Sequence, residues 1–144
     1  ISYAKEDLAA VLRLAASLEA AGLDIWLDRD RLEAGDSYDA KIRRNIRGCS
    51  LFMPVISRNT ERRLEGYFRR EWRLAEERSL AIADHVAFLL PVVIDDTPPY
   101  NDTVPERMRA AQWAMLPEGR TTQEFEARMV RLVREFRLRE RGMA

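Results

Sequence analysis

Cysteine and histidine are nearly absent from this chain: Cys49 and His85 are the only residues of their kinds among 144. One cysteine excludes an internal disulfide framework and is compatible with a reducing compartment. Set in an apolar run, Cys49 reads as a buried structural thiol rather than a nucleophile. No metal-ligand spacing is present, and His85, just before a strand, reads as a structural or surface residue, which leaves a hydrolase triad without its base. Glycine is also scarce, with six in all, and neither G-x-G-x-x-G nor G-x-x-x-x-G-K-[ST] occurs. This argues against a phosphate-loop NTPase or a dinucleotide-binding dehydrogenase. No apolar run approaches the length needed to span a bilayer, and no signal peptide is visible. Neither sign of charge is in excess: Lys plus Arg and Asp plus Glu both number 24. No global basic field is therefore present to draw in nucleic acid.

What is present is ordinary for one globular domain, with 47% hydrophobic and 33% charged residues and no repeat or linker. The chain opens on Ile1-Ser2-Tyr3, without an initiating Met and in the pattern of a strand end. The expectation is a single domain over 1–144, part of a longer protein, with its first strand truncated. Leu8, Val11, Leu12, Ala15 and Leu18 keep helical period up to Gly22, and Asp24 to Asp28 reads as a strand. A charged loop then leads to a helix traced by Tyr38, Ile42 and Ile46. The runs 51–56 and 86–94 read as strands buried on both faces, each interrupted by a proline, Pro54 and Pro91, where local irregularity is expected. Residues 57–65 and 95–105 read as loops, 111–116 as a short last strand, and Phe125, Met129, Leu132, Val133 and Phe136 as the stripe of a final helix capped near Thr121-Thr122-Gln123-Glu124. The closing Arg137 to Arg141 stretch reads as a solvated helix end. Five strands alternating with helices predict an α/β fold: a doubly wound, flavodoxin-like five-stranded parallel sheet with helices on both faces. Such sheets place their ligand crevice outside the carboxyl ends of the strands, here the loops after Tyr3, Leu27, Ile56 and Ile94. A receiver domain shares this topology but wants a phosphorylatable Asp after the third strand, and here that strand runs into Ser57-Arg58.

The stretch Tyr67-Phe68-Arg69-Arg70-Glu71-Trp72 reads as the opening of an amphipathic helix. Phe68, Trp72 and Ala75 face a core, and Tyr67, Glu71 and Leu74 share the adjacent stripe. A carboxylate held beside two aromatics suits a site for a cationic or flat heteroaromatic ligand, and equally an ordinary helix whose glutamate borders the core. With phosphate loops, metals and histidine triads set aside, glycosidic carboxylate chemistry remains. A single Glu stabilises an oxocarbenium-like sugar if the leaving group departs readily, and nicotinamide leaves as a neutral base without a general acid.

Taken in order, Ile1-Ser2-Tyr3, then Leu32-Glu33-Ala34-Gly35-Asp36-Ser37 after a strand ending in Asp28, then Val55-Ile56-Ser57, then Tyr67 to Trp72, resemble a Toll/interleukin-1 receptor (TIR) domain over nearly the whole chain. The resemblance implies several assignments. Asp28-Arg29-Asp30-Arg31-Leu32-Glu33-Ala34-Gly35-Asp36-Ser37 matches the BB loop, which mediates homotypic TIR–TIR assembly and gates the site. Glu71 matches the helix glutamate with which many bacterial, plant and axonal members cleave NAD+. Tyr67 lies where an aromatic, frequently Trp, lines the pocket, Tyr38 where one stacks near the nicotinamide, and Lys5 where a basic residue follows the first strand. Arg31 and Glu33 take polar BB-loop positions, and Tyr100 the place of an aromatic near the adenine. Tyr38 also sits on the apolar stripe with Ile42 and is read equally as core, as Arg31 and Glu33 are as a solvated loop pair. The implied activity is a bacterial, cytoplasmic NAD+ glycohydrolase acting in antiphage immunity. NAD+ is its substrate, with no cofactor, and its sensing domain or partner subunit lies outside this chain. The alternative is a non-catalytic adaptor acting through TIR–TIR contact.

Overall fold

The longest apolar runs of the sequence make the middle of the sheet. The computed structural model describes residues 1–27, 36–98 and 102–142, and of 36–39 the backbone alone. In it β1 (Val55–Ile56), β2 (Val92–Val93) and β3 (Ala114–Met115) form a three-stranded parallel sheet in that order. Val55 stands opposite Val92 and Ile56 opposite Val93, and β2 meets β3 through Val92 opposite Ala114. Backbone hydrogen bonds extend the pairing beyond these ladders: Phe52 N donates to Phe88 O and Leu90 N to Phe52 O, each at 2.8 Å. The two prolines explain why the regular ladders are short. Each removes one donor but keeps its acceptor, since Pro54 O receives Val92 N and Pro91 O receives Ala114 N, both at 2.9 Å.

On the far side of β1, Ser2 pairs with Pro54 in a parallel bridge, Ser2 N donating to Met53 O at 3.0 Å and Val55 N to Ser2 O at 2.8 Å. Beyond it the Ile1 nitrogen donates to Trp26 O at 3.2 Å. Of the five expected strands, three thus form ladders and the first is a single bridge. The described part of the second, 24–27, forms no ladder. The mixed α/β architecture around a parallel sheet is as expected.

Strand side chains alternate between faces, and this alternation divides the core in two. Phe52, Ile56 and Val93 enter one cluster with Ile42 and Ile46 of α2 (Asp36–Gly48) and Phe68, Trp72 and Ala75 of α4 (Tyr67–Leu80). Met53, Val55 and Val92 enter the other with Val11, Leu14 and Leu18 of α1 (Leu8–Ala20) and Phe125 and Met129 of α6 (Gln123–Glu140). Phe136, near the end of α6, reaches round to the first cluster. In α1 Val11, Ala15 and Leu18 are buried as expected and Leu14 joins them, while Leu8 and Leu12 are only partly buried. The helix stops where Gly22 takes φ +99°, with Gly22 N bonded to Glu19 O and Leu23 N to Leu18 O.

Two short helices were not foreseen: α3 (Arg58–Arg62), in a stretch read as a loop, and α5 (Glu106–Arg109), just after the second such loop. A reciprocal capping box starts α3, in which the Ser57 side chain accepts from Thr60 N and the Thr60 side chain accepts from Ser57 N. For α6 the cap is Thr122, whose Oγ1 accepts from Phe125 N at 3.1 Å. In the turn Pro117–Gly119, Gly119 adopts φ +75° and lies against α1 so closely that a Cβ would stand 2.1 Å from Ala10 O.

Candidate functional site

No side chain caps the start of α4; Arg69 secures it from within. The Arg69 guanidinium donates to Thr60 O at 2.5 Å, to Arg63 O at 2.9 Å and to Thr103 O. It therefore ties the segments on either side of α4 to the helix's first turn. The same group lies over the Phe68 ring at 5.0 Å and the Trp72 ring at 5.4 Å, and those rings meet edge to face at 5.1 Å. Burial lowers the Arg69 pKa, and nearby Arg73 adds to the shift. Gly66, just before the helix, gives the Phe68 ring its room, since a Cβ there would come within 2.9 Å of it.

This arrangement fixes the helix turn that carries Glu71. Phe68, Trp72 and Ala75 are buried in the core as the periodicity predicts, and Glu71 is buried with them, at 2% exposure. A carboxylate at that depth needs donors. Ser2, 1% exposed, supplies one: its Oγ donates to Glu71 Oε1 at 2.8 Å.

Glu71 and Ser2 line a cleft of about 300 Å³, together with Trp26, Asn45, Cys49 and Phe52. Its walls come from residues 24–26, from the stretch 48–53 that precedes β1, and from the C-terminal turn of α2, with α6 closing the opposite side. Cys49, expected to be buried, is half-buried in the cleft wall. Its pKa is pushed up by burial against the pull of Arg78, which donates to Ile46 O at 2.7 Å and holds the end of α2 to α4.

Outside the carboxyl ends of the strands, where the crevice was expected, the described residues form a polar network. Asp7, buried, accepts from Ser57 Oγ at 2.5 Å and from Asn59 Nδ2 at 2.8 Å. Asp95 accepts from Arg58 N at 2.9 Å and Thr97 N at 3.0 Å. Burial raises the Asp7 pKa, and the Ser57 and Asn59 hydrogen bonds oppose the rise.

Among the expected site residues, the structure places Glu71 in the cleft and Tyr67 one turn before it, half-buried against the core, with the Arg70 guanidinium 5.9 Å from its ring. Lys5 is exposed at the start of the 3-10 turn Lys5–Asp7, three residues beyond Ser2. Asp28, Arg29, Asp30, Arg31, Leu32, Glu33, Ala34, Gly35 and Tyr100 lie outside the described residues, as do the side chains of Asp36, Ser37 and Tyr38; the backbones of these three form the first turn of α2. Sequence reasoning passed over Ser2 and Asp7 as site residues. The available signal for Ser2 was a small hydroxyl residue within an otherwise buried strand end.

The family model for the TIR domain matches residues 1–133. The chain belongs to the TIR domain family. Comparison with curated proteins finds no match. Membership supports a signalling or NAD+-cleaving role in general terms, and TIR domains generally assemble with their own kind. Among the described residues of this TIR domain, no helix is long and apolar enough to cross a membrane. No group of three or more His, Cys, Asp or Glu side chains among them is placed to hold a metal ion.

Proposed function

We propose that this TIR domain is an NAD+ glycohydrolase with Glu71 as its catalytic residue. The observation that carries this reading is the burial of Glu71 in a cleft, on a helix whose first turn is fixed by Arg69 and with its carboxylate held by Ser2. In the reaction the bond between C1′ of the ribose and the pyridinium nitrogen breaks, and nicotinamide leaves with the bonding pair as a neutral base. The positive charge passes to the ribosyl carbon, where Glu71 stabilises it. Capture by water gives ADP-ribose and a proton; capture by an adenine nitrogen gives a cyclic isomer.

In this reading Tyr67 and Tyr38 shape the nicotinamide pocket, Lys5 meets phosphate, and Arg31, Glu33 and Tyr100 complete the substrate contacts. The sheet is completed to the five-stranded, doubly wound form, and the protein works in the bacterial cytoplasm in antiphage defence, with sensing supplied from outside this chain. Self-association through the BB loop, residues 28–37, opens the site. Two observations favour such gating. Glu71 is only 2% exposed, and the cleft, about 300 Å³, is at the small end for a ligand pocket and small for a dinucleotide.

The test is to force the domain together by fusion to an oligomeric scaffold and follow NAD+ by fluorescence of an etheno analogue. Cleavage by the assembled domain, abolished by Glu71→Gln with an unchanged melting temperature, is the expected result. Undiminished turnover in Glu71→Gln overturns the assignment. Association with no cleavage at all favours the adaptor, the reading that the inaccessibility of Glu71 also suits.

A further inference from the structure

Glutamate has three side-chain torsions, so a carboxylate one turn along a helix does not aim itself. In this molecule the aim comes from the sheet. Ser2 stands 69 positions from Glu71 in the chain, and its backbone is locked on both sides of the residue, through Ser2 N to Met53 O and Val55 N to Ser2 O. Its hydroxyl is thus presented by hydrogen-bonded backbone rather than by a loop, at 2.8 Å from Oε1 and with both residues buried. Among the described residues the other buried carboxylate, Asp7, is engaged by Ser57 and Asn59, so the two acids have separate donors.

We propose that Ser2 is the positioning residue for Glu71, its sheet-anchored hydroxyl directing the carboxylate toward the ribosyl carbon and favouring its ionised form. The proposal rests on the NAD+-cleaving reading of Glu71. A donor to a buried carboxylate favours the charged state, and that is the state able to stabilise a developing ribosyl cation. Ser2 itself touches no reacting atom. Its contribution therefore falls on turnover and on the pH at which Glu71 ionises, not on substrate affinity.

The experiment compares Ser2→Ala, Ser2→Cys and Ser2→Thr with the unsubstituted domain, all assembled on the same scaffold. Ser2→Ala is expected to lower kcat about ten- to a hundredfold while KM stays within roughly twofold. The acid limb of its pH profile moves to higher pH. Ser2→Cys, nearly isosteric but a weak donor, falls between, and Ser2→Thr, which keeps the hydroxyl, keeps the original limb. Carbon NMR of the Glu71 carboxyl provides a reading independent of activity: its titration midpoint rises in Ser2→Ala and is restored in Ser2→Thr. An unchanged midpoint overturns the proposal, as does a loss of kcat that tracks melting temperature with the acid limb in place. A domain that cleaves no NAD+ but shows the shifted midpoint sinks the glycohydrolase reading and leaves the Ser2–Glu71 coupling standing.

Discussion

The two faces of the sheet are built to different tolerances. On the side of α1 and α6 the buried cluster is apolar and closes down until Gly119 lies against the backbone of Ala10. On the side of α4 the helix buries Glu71, and the partly buried guanidiniums of Arg69 and Arg78 reach carbonyl groups of neighbouring segments. Burying charge costs stability unless each group is paired, so polar groups persist at depth where they hold or perform something. Apart from the α1 and α6 residues that line the cleft, the α1 face is expected to act as scaffold, in which a substitution changes stability alone. The α4 face is where stability and function should separate.

Substitutions on the two faces test that division. The largest effect is expected at Glu71: Glu71→Gln is near-isosteric and keeps an acceptor for Ser2, so turnover falls by roughly a thousandfold while the urea midpoint hardly moves. Paired loss of activity and stability would erase the distinction between the faces. Next comes Gly119→Ala, which brings a Cβ to 2.1 Å from Ala10 O at a φ of +75°. Because the obstacle is backbone, the cost is about 3 kcal/mol or more in equilibrium unfolding, with kcat per folded molecule unchanged. Arg69→Met is intermediate. It removes the donors to Thr60 O, Arg63 O and Thr103 O, at about 2 kcal/mol in unfolding free energy, and it lowers turnover as well because the first turn of α4 loosens. An effect on stability alone would class Arg69 with the scaffold.

The smallest effect is a pH slope at Asp7. Burial raises its pKa above the ordinary value of 3.8, so between those two values the folded state keeps a proton that the unfolded chain releases. The stability contributed by this group is complete below the unfolded value and is lost as pH rises through the folded one. Asp7→Asn removes that dependence, so its stability relative to the unsubstituted domain should climb from acid toward neutral pH. Urea midpoints across that range measure it, and a flat difference would remove Asp7 from the account.

Local patterns carried most of the fold. Helical period placed α1, α4 and α6, and the apolar runs placed the strands around Val55 and Val92, because burial against one core imposes a repeat that neighbouring residues share. The short helices α3 and α5 escaped because a single turn has no period to read; α3 exists through the Ser57–Thr60 capping exchange. Glu71 was legible as a candidate because it borders an aromatic stripe. Its donor was not, since nothing near Ser2 in the sequence signals a partner on a helix 69 positions away. Asp7 was hidden in the same way: a polar turn residue looks solvated until Ser57 and Asn59 fold over it.

Pro54 and Pro91 have a further consequence, for the chain before it folds. The stretches around them are the most apolar of the sequence, and without a proline each would be a six-residue window able to stack with copies of itself into intermolecular β-structure. In the finished sheet each proline removes one donor and still accepts from the neighbouring strand. In a nascent or crowded chain the same missing N–H interrupts the repeating ladder that an aggregate requires, so the two residues act as gatekeepers. In a family whose domains generally assemble with their own kind, this separates ordered association of folded molecules from uncontrolled association of unfolded ones.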